Sequence, residues 1–211
     1  MYPPLSGENL MCVRGDRLVF NGLCFSVGAG CVLMLTGRNG SGKTSLLRLM
    51  AGIMAPAGGT LRYYGTDCHE NPNGHRADIH YVAHYDAIKS ALTVRENLAF
   101  WVELHGGGDV DSGLDAFGLL ALAELPAQFL SAGQRRRLVL ARLAAIDAGV
   151  WLLDEPSVAL DTASLESLRN LIAGHCADGG AVIAATHSDL GFTDAVTLDV
   201  SHFAPKGQVA P

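Results

Sequence analysis

The stretch Gly37-Arg38-Asn39-Gly40-Ser41-Gly42-Lys43-Thr44 has the residue types and spacing of a loop that grips nucleotide phosphates. Gly40 and Gly42 permit positive φ, so that consecutive backbone N–H groups can point inward at an anion. Lys43 can reach the β- and γ-phosphates, the Thr44 hydroxyl can ligate Mg²⁺, and Ser45 follows in the first helical turn. A second candidate is Asp154-Glu155, at the end of the apolar run Val150-Trp151-Leu152-Leu153. Beside a phosphate loop, a strand-end Asp is delivered to the metal. The Glu after it can take a proton from water attacking the γ-phosphate. Adjacent acids before Pro156 could also merely start a turn; the phosphate loop upstream favours the chemical reading. The chemistry implied is hydrolysis of a nucleoside triphosphate with Mg²⁺. Kinases, GTPases, motors and transporters all use such loops, which leaves open the work that the nucleotide drives.

The elements flanking these residues suit their positioning. Val32-Leu33-Met34-Leu35 is a short apolar run fit for a buried parallel strand. After the loop, Leu46, Leu47, Leu49, Met50 and Ile53 recur at helical spacing, and Gly52 marks the end. Strand, glycine loop and helix place a helix N-terminus against the phosphates. Residues 10–35 alternate apolar runs with turn signals at 14–16, 21–22 and 28–30, which predicts antiparallel strands. Further strands are expected at 59–64 and 79–82, and the polar segment 68–78 reads as an exposed loop. The pattern is helical from about 94 to 130, broken at Gly106-Gly107-Gly108 and at Pro126. Helix (132–147), strand (150–153), helix (164–177) and strand (181–186) then alternate, a parallel α/β layout. The last seven residues read as frayed.

With 211 residues the chain is expected to form one domain. Charged residues make up only 17% and mean hydropathy is +0.23, a composition that hides apolar surface against a partner. No run of about 18 uninterrupted apolar residues is present, so no membrane span is expected. No basic start followed by an apolar stretch marks a signal peptide, which favours the cytoplasm. A net charge of −6 speaks against a nucleic-acid partner. The Arg135-Arg136-Arg137 cluster reads as a solvated helix face. Five cysteines without Cys-x-x-Cys read as reduced, buried small residues.

Leu130-Ser131-Ala132-Gly133-Gln134 decides the class. Physically, Ser131 is a helix N-cap with Gln134 at N3, the spacing of a capping box, and such a start exposes N–H groups to an anion. By itself this would be an ordinary helix start. Placed between the phosphate loop and the Asp-Glu strand, it resembles the signature of the ATP-binding-cassette (ABC) ATPases, with Ala132 a mild departure. The resemblance runs from about Leu10 to Asp199. It includes Ser157-Val158-Ala159-Leu160-Asp161, similar to the segment that crosses the dimer interface, and His187, at the place of the γ-phosphate switch histidine. It implies an α/β P-loop NTPase fold, with a mixed central sheet, an antiparallel β subdomain and a small helical subdomain at about 90–148. It also implies a homodimer with ATP sandwiched between subunits. Each phosphate loop would then face Ser131 and Gly133 of the other chain, with Gln134 orienting the signature loop.

Two positions depart from the family pattern. Arg14 stands where an aromatic usually stacks on the base; a guanidinium plane can also stack there. His84 stands where a Gln usually contacts Mg²⁺ and the attacking water; the lesser alternative is a surface histidine without a role. The run His84-Tyr85-Asp86-Ala87-Ile88-Lys89, with Leu92-Thr93 and Glu96-Asn97-Leu98, resembles the haem-exporter ATPases of cytochrome c maturation. That branch implies integral-membrane permease partners that handle haem, and a peripheral place on the cytoplasmic face of the inner membrane. Another export substrate stays open. A DNA-repair cassette would carry a long coiled coil between Lys43 and Ser131, where no sustained heptads occur. A translation factor would usually carry two cassettes. A sensor without turnover would not need Lys43, Asp154, Glu155 and His187 together.

Overall fold

The computed structural model describes residues 4–187 and 190–205. The expected fraying of the C-terminal end falls, beyond residue 205, outside the described residues. The chain begins with an antiparallel pair, β1 (Leu5–Arg14) and β2 (Arg17–Val27), followed by β3 (Val32–Thr36) and helix α1 (Lys43–Met50). Next come β4 (Gly58–Tyr63), β5 (Thr66–Asp67), α2 (Pro72–Ala77) and β6 (Ile79–Val82). Three helices follow, α3 (Val94–Leu104), α4 (Val110–Ala116) and α5 (Ala132–Ala145). The alternating half is β7 (Val150–Asp154), α6 (Thr162–Ala177), β8 (Ala181–Ala185) and β9 (Val196–Asp199). The antiparallel and parallel strands of the expected α/β fold are divided between two sheets. One has the order β2-β1-β4-β5 and is antiparallel throughout; the other has the order β6-β7-β8-β3-β9 and is parallel.

The central strands are apolar because both of their faces are covered. Val150 and Leu152 of β7, with Ala181, Ile183 and Ala185 of β8, face the core shared with α1 and the antiparallel sheet. Trp151, Leu153, Val182 and Ala184, one residue out of phase, face the core shared with α5 and α6. Period-two alternation thus feeds two hydrophobic layers from the same strands. On α1, Leu46, Leu47, Leu49 and Met50 are at most 1% exposed, so each contributes roughly 1.5–3 kcal/mol. Ile53 does not join them. The helix stops at Met50, Gly52 takes φ +65°, and Ile53 is turned out to 63% exposure.

Other sequence expectations need correction. Residues 68–78 are not simply a loop: Asn71 caps α2 by accepting a hydrogen bond from Gly74 N–H at 3.1 Å, and Pro72 opens the helix. Asn21-Gly22 does not turn the chain. β2 runs through it with Gly22 at φ +72°, and the register with β1 slips there as a bulge does. Of the five cysteines only Cys12 is buried; Cys24 and Cys31 are exposed and all five are free. Arg136 is not solvated but 4% exposed.

His80 on β6 lies wholly in the interior, stacked on His105 at 5.1 Å, and neither of its ring nitrogens has a hydrogen-bond partner. Burial, then the nearby Arg142 charge and His105, hold its pKa well below 6.5. Below pH 6.5 the unfolded chain therefore binds a proton that the folded chain refuses, so stability falls as pH falls. Urea unfolding at pH 8 and pH 5.5 should show His80→Leu losing about 1.4 kcal/mol less stability than wild type over that interval. Equal losses would mean that His80 titrates alike in both states.

Candidate active site

The phosphate loop joins β3 to α1, and its shape depends on missing side chains. At Gly42 (φ +107°) a Cβ would lie 2.7 Å from Val19 on β2, and at Gly37 (φ +124°) one would lie 2.9 Å from Asp199 Oδ1. Gly40 also has positive φ, as expected. Lys43, buried at the start of α1, donates from Nζ to Gly37 O at 2.8 Å and to Arg38 O at 3.3 Å. Asn39, Gly40, Gly42, Lys43, Thr44 and Ser45 line a cavity of about 740 Å³. Ser41, in the same loop, is buried, and Ser45 sits against the Cys12 thiol, whose pKa burial raises.

β7 delivers its end to the same cavity. Thr44 Oγ1 donates to Asp154 Oδ1 at 3.1 Å, while Asp154 Oδ2 is buried without a hydrogen-bond partner. Burial pushes the Asp154 carboxyl up from its ordinary value; the Thr44 hydrogen bond and the His84 charge oppose this. A hard hydroxyl and a carboxylate oxygen in want of a partner fit Mg²⁺, which takes few protein oxygens and keeps several waters. Glu155 follows in the left-handed region (φ +49°), a conformation costing about 1–2 kcal/mol for a non-glycine residue. It is held there by its N–H donating to Ala185 O at 2.7 Å and by its carbonyl accepting from Arg136 at 2.7 Å.

His187, just past β8, meets both groups. Its Nε2 lies 3.3 Å from Lys43 Nζ and 3.7 Å from Glu155 Oε1, and its backbone N–H donates to Glu155 Oε2 at 3.3 Å. His84 and Tyr85 enter from the end of β6, their rings 5.3 Å apart, and Arg14 enters from the β1–β2 hairpin. The structure thus gathers the phosphate loop, Asp154, Glu155, His187, His84 and Arg14 around one cavity.

Ser131, Gly133 and Gln134 do not line it. They form the start of α5 as a complete capping box: Ser131 Oγ accepts from Gln134 N–H at 3.2 Å, and Gln134 Oε1 accepts from Ser131 N–H at 2.8 Å. A Cβ on Gly133 would lie 3.1 Å from Ala159 O, so the 157–161 segment flanks the signature of its own chain.

The sequence reading missed Arg136. Its guanidinium donates to four backbone carbonyls, those of Ala83 (3.1 Å), Asp154 (3.1 Å), Glu155 (2.7 Å) and Pro156 (3.3 Å). It thereby ties the start of α5 to both strand ends that carry site residues. The available signal was helical phase, since Arg136 shares a face with the core residues Leu140 and Leu143. Asn97 was missed too. Buried on α3, it exchanges hydrogen bonds with Lys89 and donates to Leu92 and Thr93 carbonyls, fixing the segment after His84. Arg17 and Arg48 also line the cavity.

Comparison with known proteins shows the family to which such a fold belongs. A family described as ABC transporter matches residues 20–158. The cytochrome c biogenesis ATP-binding export protein CcmA of Rhodospirillum rubrum is 51% identical over 202 residues, covering 95% of this chain and 87% of its own. That of Paramagnetospirillum magneticum is 49% identical and covers 94% of each chain. Among solved structures, an ATP-binding subunit of an ABC transporter superimposes with a TM-score of 0.82 at 20% identity, covering 93% of this chain and 86% of its own, which shows the shared fold. The chain belongs to the ABC transporter family of ATPases, in the group of the cytochrome c biogenesis ATP-binding export proteins.

Proposed function

We propose that this chain is the ATP-hydrolysing subunit of an ABC membrane complex that serves cytochrome c biogenesis by handling haem, bound to integral-membrane permease subunits at the cytoplasmic face of the inner membrane. The observation that carries the reading is the Lys43–His187–Glu155 contact set beside the Thr44–Asp154 pair. In this assignment the backbone N–H groups of residues 37–42 and Lys43 hold the β- and γ-phosphates. Thr44 and Asp154 would hold Mg²⁺, which supplies charge neutralisation when bound, and His84, which lines the same cavity, would take part. Glu155 takes the proton of a water attacking the γ-phosphorus. The bond to the bridging oxygen breaks, and ADP and inorganic phosphate leave. The His187 backbone N–H orients the Glu155 carboxylate, while its ring reaches the γ-phosphate.

The whole chain acts as one ABC domain, with residues 90–148 as its helical subdomain. No helix among the described residues is long and apolar enough to cross a membrane, which agrees with a peripheral subunit. Tyr85, 80% exposed and lining the cavity, and Phe100, 40% exposed with Lys89 Nζ 3.9 Å from its ring, offer apolar surface for a permease.

Ser131 and Gly133 stand outside the cavity of their own chain, which supports a site completed by a second copy. Mixing Ser131→Arg chains with Lys43→Ala chains should leave one intact composite site and restore part of the ATPase activity that each variant lacks alone. Mixtures no more active than either variant would refute the shared site. Purification of the chain from membranes together with its permease subunits, with bound haem identified by its spectrum, tests the complex. Recovery without any membrane subunit would refute that part of the reading.

A further inference from the structure

Three elements meet at the Thr44–Asp154 pair, and their periodicities say which side chains they bring together. On α1, Thr44 and Arg48 are four residues apart and share a face. Thr44 is hydrogen-bonded to Asp154, and Arg48 lines the same cavity one turn further on. On β7, Leu152 and Asp154 are two residues apart and point to the same side of the sheet. Tyr81 of β6 stands directly opposite Leu152 in the parallel pairing and packs against the same core layer. Its side chain is therefore flanked by Arg48 from the helix and by Asp154 from the neighbouring strand, the two charges that act on its hydroxyl.

Two oxygens in this corner have no partner. The Tyr81 hydroxyl is buried without a hydrogen bond, and so is Asp154 Oδ2. Buried polar atoms are costly to leave unpaired, and these two are complementary, one carrying a proton and the other belonging to a carboxylate. The hydroxyl keeps its proton, because burial and then the Asp154 charge raise its pKa, with Arg48 in opposition. Arg48 has donors only and can address the hydroxyl solely through its oxygen, which turns the O–H toward Asp154. Tyr81 is not among the residues that line the cavity, so its influence on a ligand there passes through Asp154.

We propose that Tyr81 is a positioning residue for Mg²⁺: its hydroxyl, backed by Arg48, donates to Asp154 Oδ2 and holds the carboxylate in the orientation that serves the metal beside Thr44. The inference rests on Thr44 and Asp154 being the residues that hold Mg²⁺. A carboxylate offers about four lone-pair sites, so Oδ2 can accept from Tyr81 without being lost to the metal. Mg²⁺ demands near-ideal octahedral geometry, and a carboxylate fixed in advance by a hydrogen bond meets that demand better than a free one.

Binding of a fluorescent ATP analogue to the purified chain, titrated with MgCl₂ and repeated in EDTA, tests this without relying on turnover. Tyr81→Phe, which removes only the hydroxyl, should raise the half-saturating Mg²⁺ concentration about tenfold, the lower end of what a ligating group loses with its hydrogen-bond partner. Affinity for the analogue in EDTA should stay within about twofold of wild type, since the phosphate loop is untouched. In an Asp154→Ala chain, adding Tyr81→Phe should change the Mg²⁺ dependence less than twofold, because the group it acts through is gone. A rise below threefold in the single variant would overturn the proposal. Equal weakening in EDTA would overturn it by making Tyr81 a general support of the fold, and a full effect in the Asp154→Ala chain would place the action of the hydroxyl elsewhere. Wild-type binding indifferent to Mg²⁺ would instead refute the Thr44–Asp154 metal site, and the positioning role with it.

Discussion

Glu155→Gln should reduce steady-state ATP turnover by 10²- to 10⁴-fold, about 3–5 kcal/mol of transition-state stabilisation, while leaving MgATP binding in place. The substitution keeps the shape of the side chain and an oxygen able to accept from the His187 N–H, which lies 3.3 Å from Glu155 Oε2. What it removes is the capacity to receive the proton of the attacking water. Thr44, Asp154 and Lys43 are untouched, so nucleotide should bind and, unhydrolysed, hold two chains together as a dimer. Turnover measured at saturating MgATP, beside dimer content from size-exclusion chromatography, gives the result. Activity within about threefold of wild type would remove Glu155 from the role of base, and the left-handed strain at its backbone would then need another explanation.

Arg136→Ala should act through position rather than contact with the nucleotide. The guanidinium satisfies the carbonyls of Ala83, Asp154, Glu155 and Pro156, and it lies 3.9 Å from the Asp86 carboxylate. Burial lowers its pKa from the ordinary arginine value, and the nearby carboxylates of Asp86, Asp154 and Glu155 work against that. Deleting it leaves buried carbonyls unpaired, at a cost of about 3 kcal/mol, read as a Tm lower by roughly 5–10 °C. The strand ends bearing Asp154, Glu155 and His84 then lose their common anchor. Turnover should fall at least tenfold with a smaller change in KM, because a displacement of about 1 Å at reacting groups costs up to about 10²-fold. Arg136→Lys, which keeps the charge but not the fork, should recover stability better than turnover. Equal recovery of both would reduce Arg136 to a structural residue.

Local chemistry in the chain determined most of the elements around the site. Glycine spacing followed by Lys43-Thr44 gave the loop, since positive φ and N–H convergence are properties of a few neighbouring residues. The apolar runs 32–35, 150–153 and 181–186 gave buried parallel strands, and Ser131 with Gln134 gave the capped helix start, all interactions within a turn or a strand. What the chain could not show by itself depends on distant partners. Gly22 as a bulge rather than a turn depends on how β1 pairs with β2. The short α2 lies within a segment whose Asn, His and Pro content resembles a loop, and its buried His75 is revealed only by packing against Tyr63. Arg136 looks like one of three solvated cations until the fold sets the loops after β6 and β7 against its face of α5. The convergence of Arg14 and Arg17, at the far end of a hairpin, with Glu155 and His187 on one cavity is likewise a product of the fold. Two sheets must pack through a shared core before residues more than a hundred positions apart can face the same phosphate.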